Sequence, residues 1–519
     1  MYMKTWRLLS GHWLFWKLNI FENVPLTLLT SLLTICQLPT TAQSTTQRLD
    51  SLFAALQDEQ RLNGTVLVAE QGKVIYQKSF GFAQVNTKIL NRDDTRFQLA
   101  SIGKTFTAVA ILQLYEQKKL KLDDALINYL PDFPFATITI RQLLSHTAGL
   151  PDLQIFEPYI RDNPARILTN ADVIPALKKF GKLPFEPGER WSYSNPGYCL
   201  LALVVEKLTK MPFHTYLNSH VWQASSMPNT YPCSIPTAKV DPKRAESYQP
   251  IFFSSQLQLV DTMQRYHPLL VNFGGLQGLG FIASTANDLW SFDRALYSGR
   301  LLKAQTLALA FTPTRLKNGN QADVERNKVT YGLGWFIGQD TTIGKRVWHS
   351  GFIPGGSTLF LRNLTRQQTV VILTNAESDG LQESGENVLK LLTNRHLAPE
   401  KKSLAKQYVR ALFEQGPDYG AARFMSMRTD TAHYRFSPAE MDYAGHQFLL
   451  NGYTSQALET LKILTFAESQ AWQPYTSYAE VLQLIGKKAE AVIMYQKSLS
   501  LNATNERVRQ ALTQLLSEK

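Results

Sequence analysis

The sequence predicts an α/β (α+β) domain followed by a helical C-terminal tail. Extended segments rich in β-branched and aromatic residues occur near both ends of the first 398 residues: 65–69 and 74–79 near the start, and 331–338, 346–348, 358–362 and 369–374 near the end. Between them, residues 101–325 have mostly helical and loop character. After Pro399 strand character almost disappears, which separates the tail from the mixed domain.

The first predicted element is a β-hairpin. Residues 65–69 and 74–79 flank Gln71 and Gly72, and glycine at such a position favours a tight turn between two strands. The extended segments between residues 331 and 374 supply further strands for the same sheet.

The next element is a helix that begins near Ser101. Apolar residues recur at helical spacing after it, and Lys104 follows Ser101 by three positions, so a hydroxyl and an amine lie one turn apart. An amine desolvated by an apolar helix has a lowered pKa and can accept the serine proton. The pattern alone is weak, because a helix cap beside a solvated lysine explains it equally well. Ser403 and Lys406 repeat it in a charged segment.

Two further motifs follow Ser101 along the chain. Tyr193 and Asn195 lie in a turn-rich loop that leads into the apolar run 200–205. A phenol beside an ammonium can ionise below its usual pKa of about 10 and act as a base. His349-Ser350-Gly351 follows a short extended run, and glycine there lets the backbone come close to a ligand.

In order and spacing, these motifs resemble the serine β-lactamase and penicillin-binding protein superfamily, in particular its branch of class C β-lactamases, DD-peptidases, D-aminopeptidases and related esterases. Residues 97–100, 143–151, 280–289 and 331–335 add further matches, so the resemblance covers roughly residues 50–395. It implies a β-lactamase/transpeptidase-like fold: a five-stranded antiparallel sheet flanked by helices, an all-helical subdomain, and the active site in the cleft between them.

The resemblance also implies a role for each motif residue. Ser101 is expected to be the acylated nucleophile, Lys104 its proton acceptor or electrostatic partner, and Tyr193 the base that activates the hydrolytic water. Which residue takes the serine proton during acylation stays open between Lys104 and Tyr193. The backbone N–H groups of Ser101 and Phe352 are expected to form the oxyanion hole. The expected substrate-binding residues are Asn195, His349, Ser350, Gly351 and Phe352.

His349 departs from the pattern of many β-lactamases and transpeptidases, which carry lysine there. Histidine is mostly neutral at pH 7, so recognition of a substrate carboxylate should be weaker. We therefore expect a serine hydrolase acting on esters or amides: a carboxylesterase, a D-amino-acid peptidase or a muropeptide hydrolase with at most weak β-lactamase activity. The alternative is a catalytically silent penicillin-binding-type protein that interacts through its tail. The intact set of Ser101, Lys104, Tyr193 and Asn195 argues against that alternative.

Other chemistries find no support in the sequence. There is no G-x-S-x-G nucleophile elbow, no H-E-x-x-H zinc motif and no C-x-x-C pair, so we expect no metal and no cofactor. His146 lies in a turn-forming stretch and is expected to have a structural role. The formal net charge of +12 is scattered along the chain, which argues against a nucleic-acid partner. The expected partner is a small-molecule or peptidoglycan-derived substrate.

The N-terminal region predicts the compartment. Basic residues precede an apolar segment that ends in small residues before a polar stretch, which is typical of a secretory signal. We therefore assign residues 1–42 to a signal peptide and residues 43–398 to the hydrolase, with periplasmic or secreted localisation. If the signal is cleaved, no membrane span is expected; if it is retained, it would act as an anchor.

The tail, residues 399–519, contains a repeat. Gly452 aligns with Gly486 and Ala457 with Ala491, which is the 34-residue spacing of tetratricopeptide repeats. Only two repeats are evident, and about three are needed for independent stability. Two interpretations therefore remain open: a helical cap docked on the hydrolase, or a platform that binds a protein partner.

Overall fold

The structure is a computed structural model that describes residues 44–233, 241–325, 328–393, 395, 397 and 401–517. The chain from Thr45 onward forms one compact unit. The predicted signal peptide lies outside the described residues, as do Ala398 and Pro399, where the boundary between hydrolase and tail is predicted.

The described part of the chain contains both strands and helices, numbered in chain order. The strands are β1 (Gly64–Glu70), β2 (Lys73–Phe80), β3 (Phe82–Gln84), β4 (Ile89–Leu90), β5 (Phe97–Gln98), β6 (Tyr231–Pro232), β7 (Tyr248–Pro250), β8 (Leu257–Leu259), β9 (Ile282–Ser284), β10 (Asp323–Glu325), β11 (Val329–Tyr331), β12 (Phe336–Asp340), β13 (Gly344–Ile353), β14 (Gly356–Asn363), β15 (Gln368–Thr374), β16 (Lys402–Ser403) and β17 (Tyr434–Arg435). The helices of the hydrolase region are α1 (Thr45–Asp58), α2 (Gly103–Glu116), α3 (Ile140–Leu144), α4 (Glu157–Asp162), α5 (Val173–Phe180), α6 (Asn195–Thr209), α7 (Phe213–Leu217), α8 (Ala286–Tyr297), α9 (Ala304–Ala310) and α10 (Leu381–Leu392). The helices of the tail are α11 (Leu404–Gln415), α12 (Pro417–Thr429), α13 (Pro438–Leu450), α14 (Thr454–Ala467), α15 (Trp472–Leu484), α16 (Lys488–Leu501) and α17 (Glu506–Ser517).

The main sheet is antiparallel, in the order β10-β11-β12-β13-β14-β15-β1-β2. The fold class is confirmed, but the expected number of five strands was wrong, because the sheet has eight. The additional pairing comes from residues 323–340, which fold onto the edge of β13 and satisfy its backbone groups. The strand predicted at 331–338 is divided between β11 and β12, since Gly334 turns the chain with φ +89°.

The predicted hairpin is confirmed. β1 pairs with β2, and the turn residues Gln71 and Gly72 both have positive φ, +47° and +77°, as a two-residue hairpin turn with right-handed strand twist requires. Alternation along β1 then divides the core between the two faces of the sheet. Val66 and Val68 pack with α1 and α10, whereas Leu67 packs on the other side in the cluster that contains α2, α6 and α8.

Helix α2 passes through the middle of the helical side of the molecule and carries the predicted nucleophile at its start. Nearly all its side chains are buried, including Lys104. A lysine buried on such a helix loses most of its hydration, which determines its charge state in the site described below.

The tail is a stack of paired helices, with α13 packed on α14 and α15 on α16. Gly452 and Gly486 follow α13 and α15 and turn the chain with φ +82° and +81°. These equivalent turns are consistent with the predicted repeat. The tail core also contains Phe253 of the hydrolase, and Ile251 and Phe252 pack against that core, so the tail is docked on the hydrolase with Phe253 as the buried contact.

Candidate active site

Ser101 lies in a short 3₁₀ helix, Ala100–Ile102, directly before α2. The backbone before it is held from two sides: Leu99 N–H donates to the Ile282 carbonyl at 2.8 Å, and the Thr358 hydroxyl donates to the Leu99 carbonyl at 2.8 Å. Ala100 has a φ of +49°, a conformation that costs free energy for a residue with a Cβ. The surrounding strands therefore impose the turn that presents the Ser101 hydroxyl to the cavity.

Lys104 is fully buried, and its amine makes three contacts. Its Nζ lies 3.2 Å from Ser101 Oγ, 2.8 Å from Asn195 Oδ1 and 2.7 Å from the Leu279 carbonyl oxygen. Burial lowers the pKa of Lys104 to about 7, although the nearby Asp152 carboxylate acts in the opposite direction. Near neutral pH, a substantial fraction of the amine is therefore uncharged.

Asp152 belongs to this site and was not found from the sequence. Its carboxylate accepts from Asn195 N–H at 2.8 Å and from Asn195 Nδ2 at 3.0 Å. Because the amide nitrogen faces Asp152, the amide oxygen faces Lys104, which supports the orientation of Asn195 in the site. The signal in the sequence was slight: Asp152 directly follows the turn-rich stretch 143–151, far from Asn195 along the chain.

Tyr193 lies in an aromatic cluster behind Lys104. Lys104 Nζ is 4.9 Å from the centre of the Tyr193 ring, and the His146 ring lies 4.2 Å from it on another side. Burial raises the pKa of Tyr193 above its ordinary value, while its contact with the Ser101 hydroxyl only partly offsets this. The expectation that Tyr193 ionises readily was therefore wrong for the resting protein, because desolvation of the phenolate outweighs the influence of Lys104.

His146 is a structural residue of the same cluster. Its backbone has φ +56°, and its Nδ1 accepts a hydrogen bond from Ser194 N–H at 3.2 Å. That bond, together with the ring contact, holds the loop that carries Tyr193. Burial and the proximity of Lys104 lower the pKa of His146 well below its usual range, so the imidazole is neutral.

His349 is on β13 and is also buried, with 1% of its surface exposed. Its Nε2 lies 3.1 Å from the Tyr331 hydroxyl and its Nδ1 lies 2.7 Å from the Ser350 carbonyl oxygen. A carbonyl only accepts, so Nδ1 carries the proton and Nε2 accepts from Tyr331. Burial, together with the proximity of Lys104, lowers the pKa of His349 to about 3, so no imidazolium is present near neutrality.

Gly351 explains why β13 can come so close to the nucleophile. A Cβ at this position would lie 2.2 Å from the Leu99 carbonyl oxygen and 3.0 Å from the Ala100 Cβ. Only glycine permits that approach, which brings Phe352 to the cavity at Ser101. The side chain of Phe352 is 60% exposed, so this residue contributes its backbone and an apolar rim.

The cavity at Ser101 has a volume of about 130 Å³. The predicted residues Ser101, Asn195 and Phe352 all line it, whereas Lys104, Tyr193 and His349 lie behind its surface. The remaining lining is mostly apolar and was not predicted to form the site: Gln98, Ala100, Leu153, Leu270, Phe273, Leu279, Gly280, Phe281, Ile353 and Pro354. Of the described lining residues, none is a lysine, an arginine or a carboxylate.

The second serine–lysine pair has a different role. The Ser403 hydroxyl accepts from Lys406 N–H at 3.1 Å and caps the N-terminus of α11. This is the helix-cap arrangement that was the alternative for Ser101, and the buried amine of Lys104 distinguishes the two pairs.

Across the described ranges, no group of three or more His, Cys, Asp or Glu side chains is arranged to hold a metal ion. Within the same ranges, no helix combines the length and apolar character needed to cross a bilayer.

The comparisons with known proteins agree in family and fold. The sequence model of the Beta-lactamase family matches residues 49–395. Penicillin-binding protein 4* of Bacillus subtilis (strain 168) is 34% identical over 342 residues, which are 65% of this chain and 73% of that protein. A crystal structure of a penicillin-binding protein from Bacillus halodurans is similar with a TM-score of 0.56 and 28% identity, covering 66% of this chain and 98% of that one.

A further comparison concerns the fold alone. The D-amino acid amidase from Ochrobactrum anthropi SV3, solved as a complex with D-phenylalanine, has a TM-score of 0.55 at 20% identity, covering 67% of this chain and 99% of that one. The family match ends before α11, so the tail lies outside it.

Proposed function

The chain belongs to the β-lactamase family of serine hydrolases, and we propose that it forms an acyl-enzyme on Ser101 with esters or amides that present an apolar group and no carboxylate to the cavity. The observation that carries the proposal is the buried amine of Lys104, 3.2 Å from Ser101 Oγ at the edge of an apolar cavity. Carboxylesterase, D-amino-acid peptidase and muropeptide hydrolase activities all fall within this class.

The contacts of Lys104 support its role as the base of acylation. A neutral amine has two N–H groups and one lone pair, whereas the Leu279 carbonyl and the oriented Asn195 oxygen can only accept. The two N–H groups therefore satisfy those oxygens, and the lone pair faces Ser101 Oγ. With a pKa of about 7, this amine can take the serine proton near neutrality, while Tyr193 keeps its own.

The proposed reaction proceeds in two steps. Lys104 accepts the proton of Ser101 as Oγ attacks the substrate carbonyl, and the N–H groups of Ser101 and Phe352 stabilise the resulting oxyanion. The leaving alcohol or amine takes a proton from the site as the tetrahedral intermediate collapses to the ester on Ser101. Water then adds to that ester after losing a proton to Lys104, and collapse of the second tetrahedral intermediate releases the acid as Ser101 Oγ takes the proton back from Lys104.

The preference for substrates without a carboxylate in the cavity follows from its lining. Its described residues supply no cation to a carboxylate, and His349 is neutral and engaged with Tyr331 and Ser350. A substrate carboxylate would lose its hydration without gaining a charged partner. A peptidoglycan-derived amide or a D-amino-acid amide is compatible with the site if an apolar group enters the cavity. Secreted or periplasmic localisation remains part of the proposal.

The proposal is tested by intact-protein mass spectrometry after exposure to a fluorophosphonate, a short-chain p-nitrophenyl ester and penicillin. We expect an adduct with the fluorophosphonate and turnover of the ester, with slow or no acylation by penicillin. Ser101→Ala should abolish labelling and reduce turnover by at least about 10³-fold. Ser403→Ala is the matched control and should retain labelling, because the Ser403 hydroxyl caps α11 and donates to Glu440, both in the tail.

The second candidate is a non-hydrolytic interaction protein that uses its tail. The exposed apolar side chains of the tail, Phe466 and Leu484 among them, favour this candidate. The same experiment distinguishes the two: a folded wild-type protein with neither adduct nor turnover would contradict the hydrolase and support the interaction protein.

A further inference from the structure

One segment of the hydrolase, residues 247–273, reaches from the core of the tail to the active-site cavity. Its tail end is Phe253, which is 2% exposed. The Phe253 ring is stacked on Phe448 of α13 with centroids 4.3 Å apart, and it contacts Phe413 at 5.0 Å and Tyr453 at 5.3 Å. The tail helices therefore surround this side chain as part of their own core.

From Phe253, the hairpin of β7 and β8 leads to the strand that carries Phe352. Tyr248 N–H lies 2.9 Å from the Asn375 carbonyl oxygen and 3.2 Å from that of Gly355. A Cβ at Gly355 would lie only 2.6 Å from Val260 Cγ2, so the hairpin packs directly against this turn. Phe352 and the two residues after it line the cavity immediately before Gly355.

The other end of the segment forms a wall of the cavity. Leu270 and Phe273 are buried and line it. Asn272 anchors this end, since its Nδ2 donates to the carbonyls of Pro164 at 2.8 Å and Arg166 at 2.6 Å. The segment is thus held in the hydrolase at Asn272 and in the tail core at Phe253.

We propose that the C-terminal helices, acting through Phe253, position the wall and rim of the substrate pocket and so determine the size of the acyl group that the enzyme accepts. The inference rests on the proposed function, because it concerns the pocket of the same site. Densely packed side chains transmit displacements, so loss of the Phe253 anchor moves Leu270, Phe273 and the turn at Gly355.

The reacting groups are anchored elsewhere. Ser101 and Lys104 are held at the start of α2, and Asn195 at the start of α6 by Asp152. Phe253 is a positioning residue: it touches no reacting atom, and its loss should alter selectivity while leaving the nucleophile reactive.

The test compares Phe253→Ala and Phe253→Leu with Phe424→Ala and Phe424→Leu. Phe424 is buried in the same tail core, but it belongs to the tail, and its ring contacts Tyr408 and Phe436, which are also tail residues. Active sites are titrated with a fluorophosphonate, and kcat/KM is then measured for p-nitrophenyl acetate and p-nitrophenyl octanoate. We expect the octanoate-to-acetate ratio to rise by about tenfold in Phe253→Ala and less in Phe253→Leu, with a change of at most about twofold in the Phe424 variants.

Hydrogen exchange supplies a readout that does not need turnover. The backbone N–H groups of residues 270–273 and of Phe352, Ile353 and Gly355 should exchange faster in Phe253→Leu than in wild type. In Phe424→Leu their exchange rates should be unchanged. Phe253→Leu keeps an apolar side chain and serves if Phe253→Ala does not fold. An unchanged or lower ratio, an equal change in the Phe424 variants, or unaltered exchange at those amides would overturn the inference. If wild type hydrolyses neither ester, the proposed function fails, whereas the exchange experiment still decides the positioning role.

Discussion

Replacement of Asp152 with asparagine should shift the pH dependence of acylation toward acid. In wild type, the rate should rise with pH through about 7, because Lys104 must lose its proton before it can accept that of Ser101. The Asp152 carboxylate favours the ammonium form and keeps the pKa of Lys104 higher than burial alone would. Its removal therefore lowers the pKa of Lys104, and the neutral amine appears at lower pH.

The structure gives the size of the shift. Asn195 bridges the two charges, with 2.8 Å from its oxygen to Lys104 Nζ and 3.0 Å from its nitrogen to the Asp152 carboxylate. With the width of the amide, the charges are at most about 8 Å apart. At an effective dielectric constant of about 20, they interact by about 2 kcal/mol, or about 1.5 pH units. Asp152 is partly exposed, so screening by water and salt reduces the expected shift to about 1 unit.

The assay is the second-order rate of fluorophosphonate labelling between about pH 5 and pH 9. Each variant is normalised to its own maximum, since Asp152→Asn also weakens the support of Asn195. At pH 6, the labelling rate relative to its own maximum should be about fivefold larger in Asp152→Asn than in wild type. Asp132→Asn, a change at an exposed carboxylate, is the control and should leave the midpoint unchanged. A midpoint that stays in place in Asp152→Asn would refute the assignment of the acid limb to Lys104.

Three further outcomes are expected. Gly351→Ala should slow labelling by about tenfold or more, because its Cβ would lie 2.2 Å from the Leu99 carbonyl oxygen. Gly356→Ala should slow labelling much less, because its Cβ would first meet the side chain of Ile353, at 3.2 Å. Lowering the pH from 7 to 5 should not improve acylation by penicillin relative to a neutral ester, since the pKa of His349 is about 3; an improved ratio would show that this imidazole does charge. Removal of the whole tail should expose Phe253, and this exposure alone should reduce the free energy of unfolding by about 2 kcal/mol and lower the Tm. Removal of α16 and α17 only should leave ester hydrolysis intact. Equal Tm values for the two truncated proteins would contradict the docking of the tail.

The sequence predicted the elements whose signals are local. The spacing of Ser101 and Lys104 placed both groups on one turn, and Gln71-Gly72 located the hairpin. The number of strands was missed because the successive pairing of β10, β11 and β12 onto β13 depends on contacts made after folding. A sequence pattern predicts which residues can form a strand, but it does not predict which strand of the sheet they will pair with.

Electrostatic properties were harder to predict than positions. The sequence correctly located Tyr193 near Lys104, but the direction of its pKa shift depends on burial, to which the packing of His146 and Trp191 against its ring contributes. Asp152 was missed for a similar reason. It reaches Lys104 only through the Asn195 amide, and no spacing in the sequence connects these three residues.

The acylating residues and the residues that determine substrate selectivity therefore differ in how far the sequence predicts them. Ser101, Lys104 and Asn195 start two helices of one buried core, so their geometry depends on packing that a short motif can specify. Two residues of the cavity wall, Leu270 and Phe273, come from the segment 247–273. We infer that the position of this segment depends on Phe253 and hence on helices more than a hundred residues further along the chain. Because the family match ends before those helices, the acylating groups can be inferred from the family, whereas the substrate must be inferred from this chain's own tail and wall. A change of tail sequence would then alter which acyl group is accepted while the base and nucleophile stay the same.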